Sequence, residues 1–446
     1  MPEPAACKAL RKRARDLATE LQQVLGDLLT EPFGDRRAQL QERAELLELR
    51  IDDVRAQMEA AGCDAPLPHE PPPTPVPTLE EFGHGSMRVG GRKALGPRPL
   101  VVVLMEWDDD GQNGFLNLLS EHPLEYYEKL AFGHPTPPFT TTPVNPASLT
   151  EYVQECSNGR FWFTRAGVLG PVPMGAFGNP DELTHVQKVA ERIAGRFPYV
   201  LFGMDVDASS VVTADELVVL VVENHRYRWP ANRSTQSVPF TVRVFPVSVT
   251  KTMELSLAFA GALTPFYQIG HEVTHSLGTR DMYNPGNMNH LLTLMGAYPF
   301  FSNDQVTVHL DAWHKLALGW CEPERVQLTA HGSALVLEIS AERPDGAVIL
   351  WHPSHGASEY FLLERRSPTG GRKYDADFPG DGVLIWHVDP SRAPMHRGSP
   401  DLALGGNGVW RTGTETPQLT WTDGSVAADS LTIKAGPVPE SVLVSW

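Results

Sequence analysis

What the chain lacks narrows its class before any motif is read. Long apolar runs are missing: no stretch approaches the roughly 20 residues that a membrane-crossing helix needs. The basic N-terminus MPEPAACKALRKRARDLATEL has no continuous apolar segment behind it, so no secretory signal peptide is read there. The expectation is a protein that is cytoplasmic or exported by a non-classical route. Positive charge is in deficit, with 37 Lys and Arg against 54 Asp and Glu and a formal net charge of -17. That balance argues against nucleic acid or an anionic membrane as partner and favours calcium or basic substrates. Cysteine is scarce. Cys7, Cys63, Cys156 and Cys321 are far apart and form no C-x-x-C pair, so they supply neither a thiolate zinc site nor a disulfide framework. Cys7 and Cys63 meet only if the first two helices fold back on one another.

What is present is ordinary globular composition, 41% hydrophobic over 446 residues, enough for two or three domains. Residues 7–29 place Leu10, Ala14, Leu17, Leu21, Val24 and Leu28 on one helical seam, and residues 36–62 repeat it with Leu40, Ala44, Leu47, Ile51, Val54 and Met58. The TEPFGD between them is a turn, which predicts an α-helical hairpin over 1–63. Such a hairpin buries little alone, so it packs on the rest of the chain, self-associates or docks a protein partner. A proline-rich linker follows over 64–96.

From Leu100, LVVVLMEW reads as a buried strand opening an α/β catalytic domain over 97–324. Residues 181–196 read as a helix capped by Asp181, with His185 on its surface, and ELVVLVVEN reads as a central strand. VTVHLDAWHKLALGW reads as one helix with a core face of Leu310, Trp313 and Leu316, on which His309 and His314 are packing or surface residues. Over 325–446, short alternating segments such as ALVLEI, AVILWH, EYFLLERR and GVLIWHV predict an antiparallel β-sandwich-like domain. The fold class expected is α+β.

The chemistry concentrates in Gly270–Tyr283, GHEVTHSLGTRDMY. Two histidines four apart on a helix share one face, so His271 and His275 can address one ion. Glu272 is placed as the acid-base beside them. Gly278 can end the helix in a left-handed turn that brings Asp281 back as a third ligand. The result is H-E-x-x-H-x-x-G-x-x-D, the metzincin arrangement with aspartate in the third place. Met295 is a Met-turn candidate, and Tyr298 a candidate for stabilising an oxyanion. A second pattern lies upstream: Asp205, Asp207, Ser209 and Glu216 occupy positions one, three, five and twelve of a calcium loop, with Ser210 where such loops carry glycine.

With these residues in view, the chain over about 97–446 resembles the immune-inhibitor-A-type, metzincin-like bacterial zinc metallopeptidases. The resemblance rests on RPLVVVLMEWDD, GHEVTHSLGTRDMY, LMGAYPF, HKLALGWCEP, and SEYFLLERR with FPGDGVLIWHVD. It implies zinc on His271, His275 and Asp281, Glu272 as base, a metzincin-like catalytic domain, a protein or peptide substrate and secretion. The family's acidic D-x-D-G-D-G segment is matched around Asp205 without its glycines, and Thr279-Arg280 stands where members often have Leu-Pro. The activity expected is zinc-dependent endopeptidase. The alternative is a latent or non-catalytic peptidase-fold scaffold acting through the N-terminal hairpin.

Overall fold

The computed structural model describes scattered positions between residues 6 and 61. Beyond them it describes 76–83, 93–108, 114–133, 148–178, 181–225, 231–284, 287–288, 292–296, 308–328, 333–336, 346–368, 373–375, 378, 380–389, 401–402, 409–428, 430–435 and 442–446. The fold is mixed α/β, several sheets with few helices, and the chain divides into two compact units, Met1–Val76 and Pro77–Trp446. In the first unit nearly all described residues are helical, and Cys7, Leu17, Val24, Leu47 and Val54 are buried together. Cys7 is disulfide-bonded, Cys156 and Cys321 are buried thiols, and Cys63 lies outside the described residues.

The second unit is built on a five-stranded sheet in the order Phe161–Ala176, Gly96–Asp108, Val218–Glu223, Ser256–Gly261, Ala231–Ser234. The first four run parallel, and Ala231–Ser234 is the antiparallel edge. The run LVVVLM is continuous because both faces of the sheet are covered. Leu100, Val102 and Leu104 face one core; Val101, Val103 and Met105 face another. The first core is closed by the helices Leu124–Phe132, Leu149–Cys156, Phe266–His275 and Ala312–Leu318. The second is closed by the helix Glu182–Arg196 and a small sheet of Val211–Thr213, Val238–Val244 and Val247–Glu254.

The C-terminal strands share the first core. Ile349, Trp351, Tyr360, Leu362, Leu384 and Trp386 pack there, while their alternating neighbours Val348, Leu350, Phe361, Leu363, Val383 and Ile385 pack with Ile433, Val442 and Val444. This is the period of two of a strand covered on both faces. The parallel pairing of Glu324–Gln327 with Ala347–Trp351 departs from the antiparallel pattern of the other pairs in this region. Part of the stretch read as linker also belongs to this core: Phe82, in the turn Leu79–Phe82, is fully buried against Trp351 and Tyr360, and its carbonyl accepts from the Tyr360 hydroxyl at 2.6 Å.

Two local expectations are corrected. His185 is buried, not on the surface, because its Nε2 meets the Glu223 carboxylate at 2.8 Å across the helix–sheet contact, which gives the imidazole a partner inside the core. The helix predicted across VTVHLDAWHKLALGW covers only Ala312–Leu318. Asp311 starts it, accepting from His314 N, so the residues before it are outside the helix. No helix among the described residues is long and apolar enough to cross a membrane.

Candidate metal centre

The helix Phe266–His275 begins after Pro265, and Phe266, Ile269, Val273 and Leu277 bury its apolar stripe against the sheet. The two histidines leave that stripe on the same side. Gly278 has φ +100, the left-handed region in which a β-carbon is strained, and the chain turns there so that Asp281 comes back to them. Asp281 Oδ1 stands 2.9 Å from His271 Nε2 and 3.4 Å from His275 Nε2, and the two Nε2 atoms are 3.1 Å apart.

The other ring nitrogens are committed. His271 Nδ1 lies 2.9 Å from the Leu294 carbonyl, and His275 Nδ1 lies 2.9 Å from the Thr279 carbonyl. A carbonyl only accepts, so both Nδ1 atoms carry hydrogen and both neutral rings turn a bare Nε2 lone pair to the centre. Three electron-rich atoms therefore face one another, and only a proton or a cation relieves their repulsion. Burial disfavours a charged His271, but its hydrogen bond to Asp281 and the charges of Glu272 and Asp281 outweigh this and raise its pKa. Burial likewise opposes the Asp281 anion, yet the hydrogen bonds and charges of both histidines hold its carboxyl well below the usual range.

Two nitrogens and one carboxylate oxygen are donors that suit zinc, and ligand atoms about 2.0–2.2 Å from one tetrahedral ion stand roughly 3.3–3.6 Å apart. The observed separations are at that spacing or a few tenths of an ångström inside it. These residues fit the ion. Glu272, next to the first histidine, is raised by burial, with the nearby histidines and Arg233 acting in the opposite sense. Its backbone carbonyl accepts from Asn232 Nδ2 at 2.8 Å, which ties the helix to the edge strand Ala231–Ser234.

Met295 lies fully buried beneath the helix: its sulfur accepts from the Thr274 hydroxyl at 3.3 Å and its carbonyl from Met282 N at 2.9 Å. Tyr298 lies outside the described residues. Asn232 and the carbonyls of Leu294 and Thr279 escaped sequence reasoning, because a carbonyl's role carries no residue signature.

The upstream carboxylates Asp205, Asp207 and Glu216 also converge, their oxygens within 4.8 Å of one another. Ser210 takes the left-handed φ of +70 that calcium loops give to glycine, and its N–H donates to Asp205 at 3.1 Å. Glu216 accepts from the backbone of Val206 and Thr213. Ser209 donates its backbone N–H to Asp207 Oδ1 at 2.9 Å, while its hydroxyl pairs with the backbone of Val211. The Lys251 ammonium sits on Asp205 Oδ2, supplying a cation from the chain itself. No protein-family model matches the chain, and no curated protein matches it.

Proposed function

We propose that the protein is a zinc-dependent endopeptidase of the immune-inhibitor-A type, its Pro77–Trp446 unit combining a metzincin-like catalytic domain with a β-sandwich-like region, preceded by an N-terminal helical hairpin. The observation that carries this is the convergence of His271 Nε2, His275 Nε2 and Asp281 Oδ1 while both Nδ1 atoms are held by carbonyls. These three side chains would hold the ion. When bound, zinc supplies Lewis acidity, polarising a carbonyl and making water more acidic.

The chain's own contribution is proton transfer and placement. Glu272, raised by burial, is suited to take a proton from the attacking water and return it to the leaving amine. The edge strand Ala231–Ser234 runs antiparallel to Ser256–Gly261 at the end of the sheet and is fixed to the helix through Asn232. An extended peptide added beside that strand would be recognised by main-chain hydrogen bonds, with modest side-chain preference.

The test is digestion of a peptide library by the full chain, with and without chelator, beside Glu272→Gln. The reading expects cleavage that chelator removes, zinc restores and the variant lacks. Cleavage that survives both would end it.

A further inference from the structure

Behind the ligand set lies a second carboxylate–imidazole pair that the proposed chemistry does not use. Asp311 and His314 are both fully buried. Asp311 Oδ1 accepts from His314 N at 3.0 Å, while Oδ2 accepts from the Thr293 hydroxyl at 2.7 Å and from His314 Nδ1 at 2.6 Å. Burial works against the anion, but His314 and Thr293 bring its carboxyl down to about 2. One aspartate thus fastens the start of the Ala312–Leu318 helix, the Thr293–Gly296 turn and the His314 ring.

The far side of that ring grips the ligand loop. Residues 279–282 have no regular secondary structure of their own. His314 Nε2 lies 3.2 Å from Arg280 N and 3.0 Å from Arg280 O. With one proton on the ring, at Nδ1, the bare Nε2 accepts the Arg280 N–H. With two, it donates to the Arg280 carbonyl, so the loop is held in either state. The carbonyl of the Thr279–Arg280 peptide is the one that takes the His275 Nδ1 hydrogen at 2.9 Å, and the residue after Arg280 is Asp281. A continuous path runs from Asp311 through the His314 ring and one peptide group to His275, with the third ligand one residue farther on. Partners that orient ligands in this way also raise their basicity.

We propose that His314, held by Asp311, is a positioning residue of the metal centre: it fixes the Thr279–Arg280 peptide and thereby sets the His275 tautomer and the place of Asp281. The inference rests on the zinc reading above. Its test compares wild type with His314→Ala and His314→Gln for zinc affinity, by competition with a chromophoric chelator, and for the visible spectrum of the cobalt(II)-substituted protein. The alanine variant should bind zinc about 10–100-fold more weakly and shift the cobalt bands. Glutamine, whose amide oxygen can accept from Arg280 N, should recover part of the loss. In an Asp281→Ala background, His314→Ala should cost less than it does in wild type. If His314→Ala does not fold, Thr293→Val decides, since it removes the hydroxyl that holds Asp311; a smaller loss of zinc affinity is expected. Wild-type affinity in the folded alanine variant, or in Thr293→Val where that variant decides, overturns the proposal. So does a loss that simply multiplies with that of Asp281→Ala. A wild-type chain that binds no zinc takes down the zinc reading itself and this proposal with it.

Discussion

His271 and His275 face each other through their Nε2 atoms at 3.1 Å, each with its Nδ1 hydrogen directed to a backbone carbonyl. Two imidazoles one helical turn apart are common; two whose lone pairs are both turned inward beside a carboxylate are arranged for a shared cation. That relationship separates the roles around the centre. In the proposed reading His271, His275 and Asp281 hold the ion and Glu272 moves the proton.

Glu272→Gln should therefore divide binding from chemistry. Zinc content is expected to match wild type, while kcat/KM for a peptide falls by about 10²–10⁴-fold, the range for removing a general acid-base. Loss of zinc together with activity would instead make Glu272 part of the ligand set.

Zinc should also stabilise the fold, because the ligand geometry exists only in the folded chain. At a free concentration about 1,000 times Kd the gain is about 4 kcal/mol. Thermal melts of chelated protein with increasing zinc should show a rising Tm. In His275→Ala the rise should be absent or greatly reduced, and a rise equal to that of wild type would count against the assignment.

Asp311 makes stability depend on acid. Its carboxyl titrates at about 2 in the folded chain, against about 3.9 for an unfolded aspartate. The folded state takes up this proton less readily, so the stabilisation is complete above about pH 4 and is lost as pH falls toward about 2. Asp311→Asn should unfold at lower denaturant than wild type near neutrality, with the gap narrowing as unfolding curves are taken at lower pH. A gap independent of pH would contradict the assignment.

Phe82 tests how far the compact unit reaches toward the N-terminus. It is fully buried against Trp351 and Tyr360, so Phe82→Ala should cost about 3–5 kcal/mol in denaturant unfolding. Leu95, about half exposed at 48%, is the control, and Leu95→Ala should change little. Equal effects would show that the Leu79–Phe82 turn is not part of the core.

How much of this was legible depended on how local each cause is. The meeting of His271, His275 and Asp281 was legible because helical spacing alone puts the histidines on one face and Gly278 supplies the reversal. The strand Phe161–Ala176 was harder. It carries Gly167, Gly170 and Gly175 with two prolines, residues that normally mark turns, yet it pairs in parallel along Gly96–Asp108 through shifts of register. At Gly170, φ is +107 and a β-carbon would lie 2.5 Å from the Leu104 carbonyl, so glycine is what lets the two backbones approach. His185 was misplaced because its burial depends on Glu223, a partner 38 positions away that periodicity cannot see. The grip of His314 on Arg280 is hidden for the same reason.

The measurement that bears most directly on the account is the metal content of the purified full chain, determined by elemental analysis beside His275→Ala. The account predicts close to one equivalent of zinc in wild type, matching the His271–His275–Asp281 set, and almost none in the variant. Folded wild-type protein that holds no zinc after exposure to the metal, or a variant that retains it in full, would contradict the account.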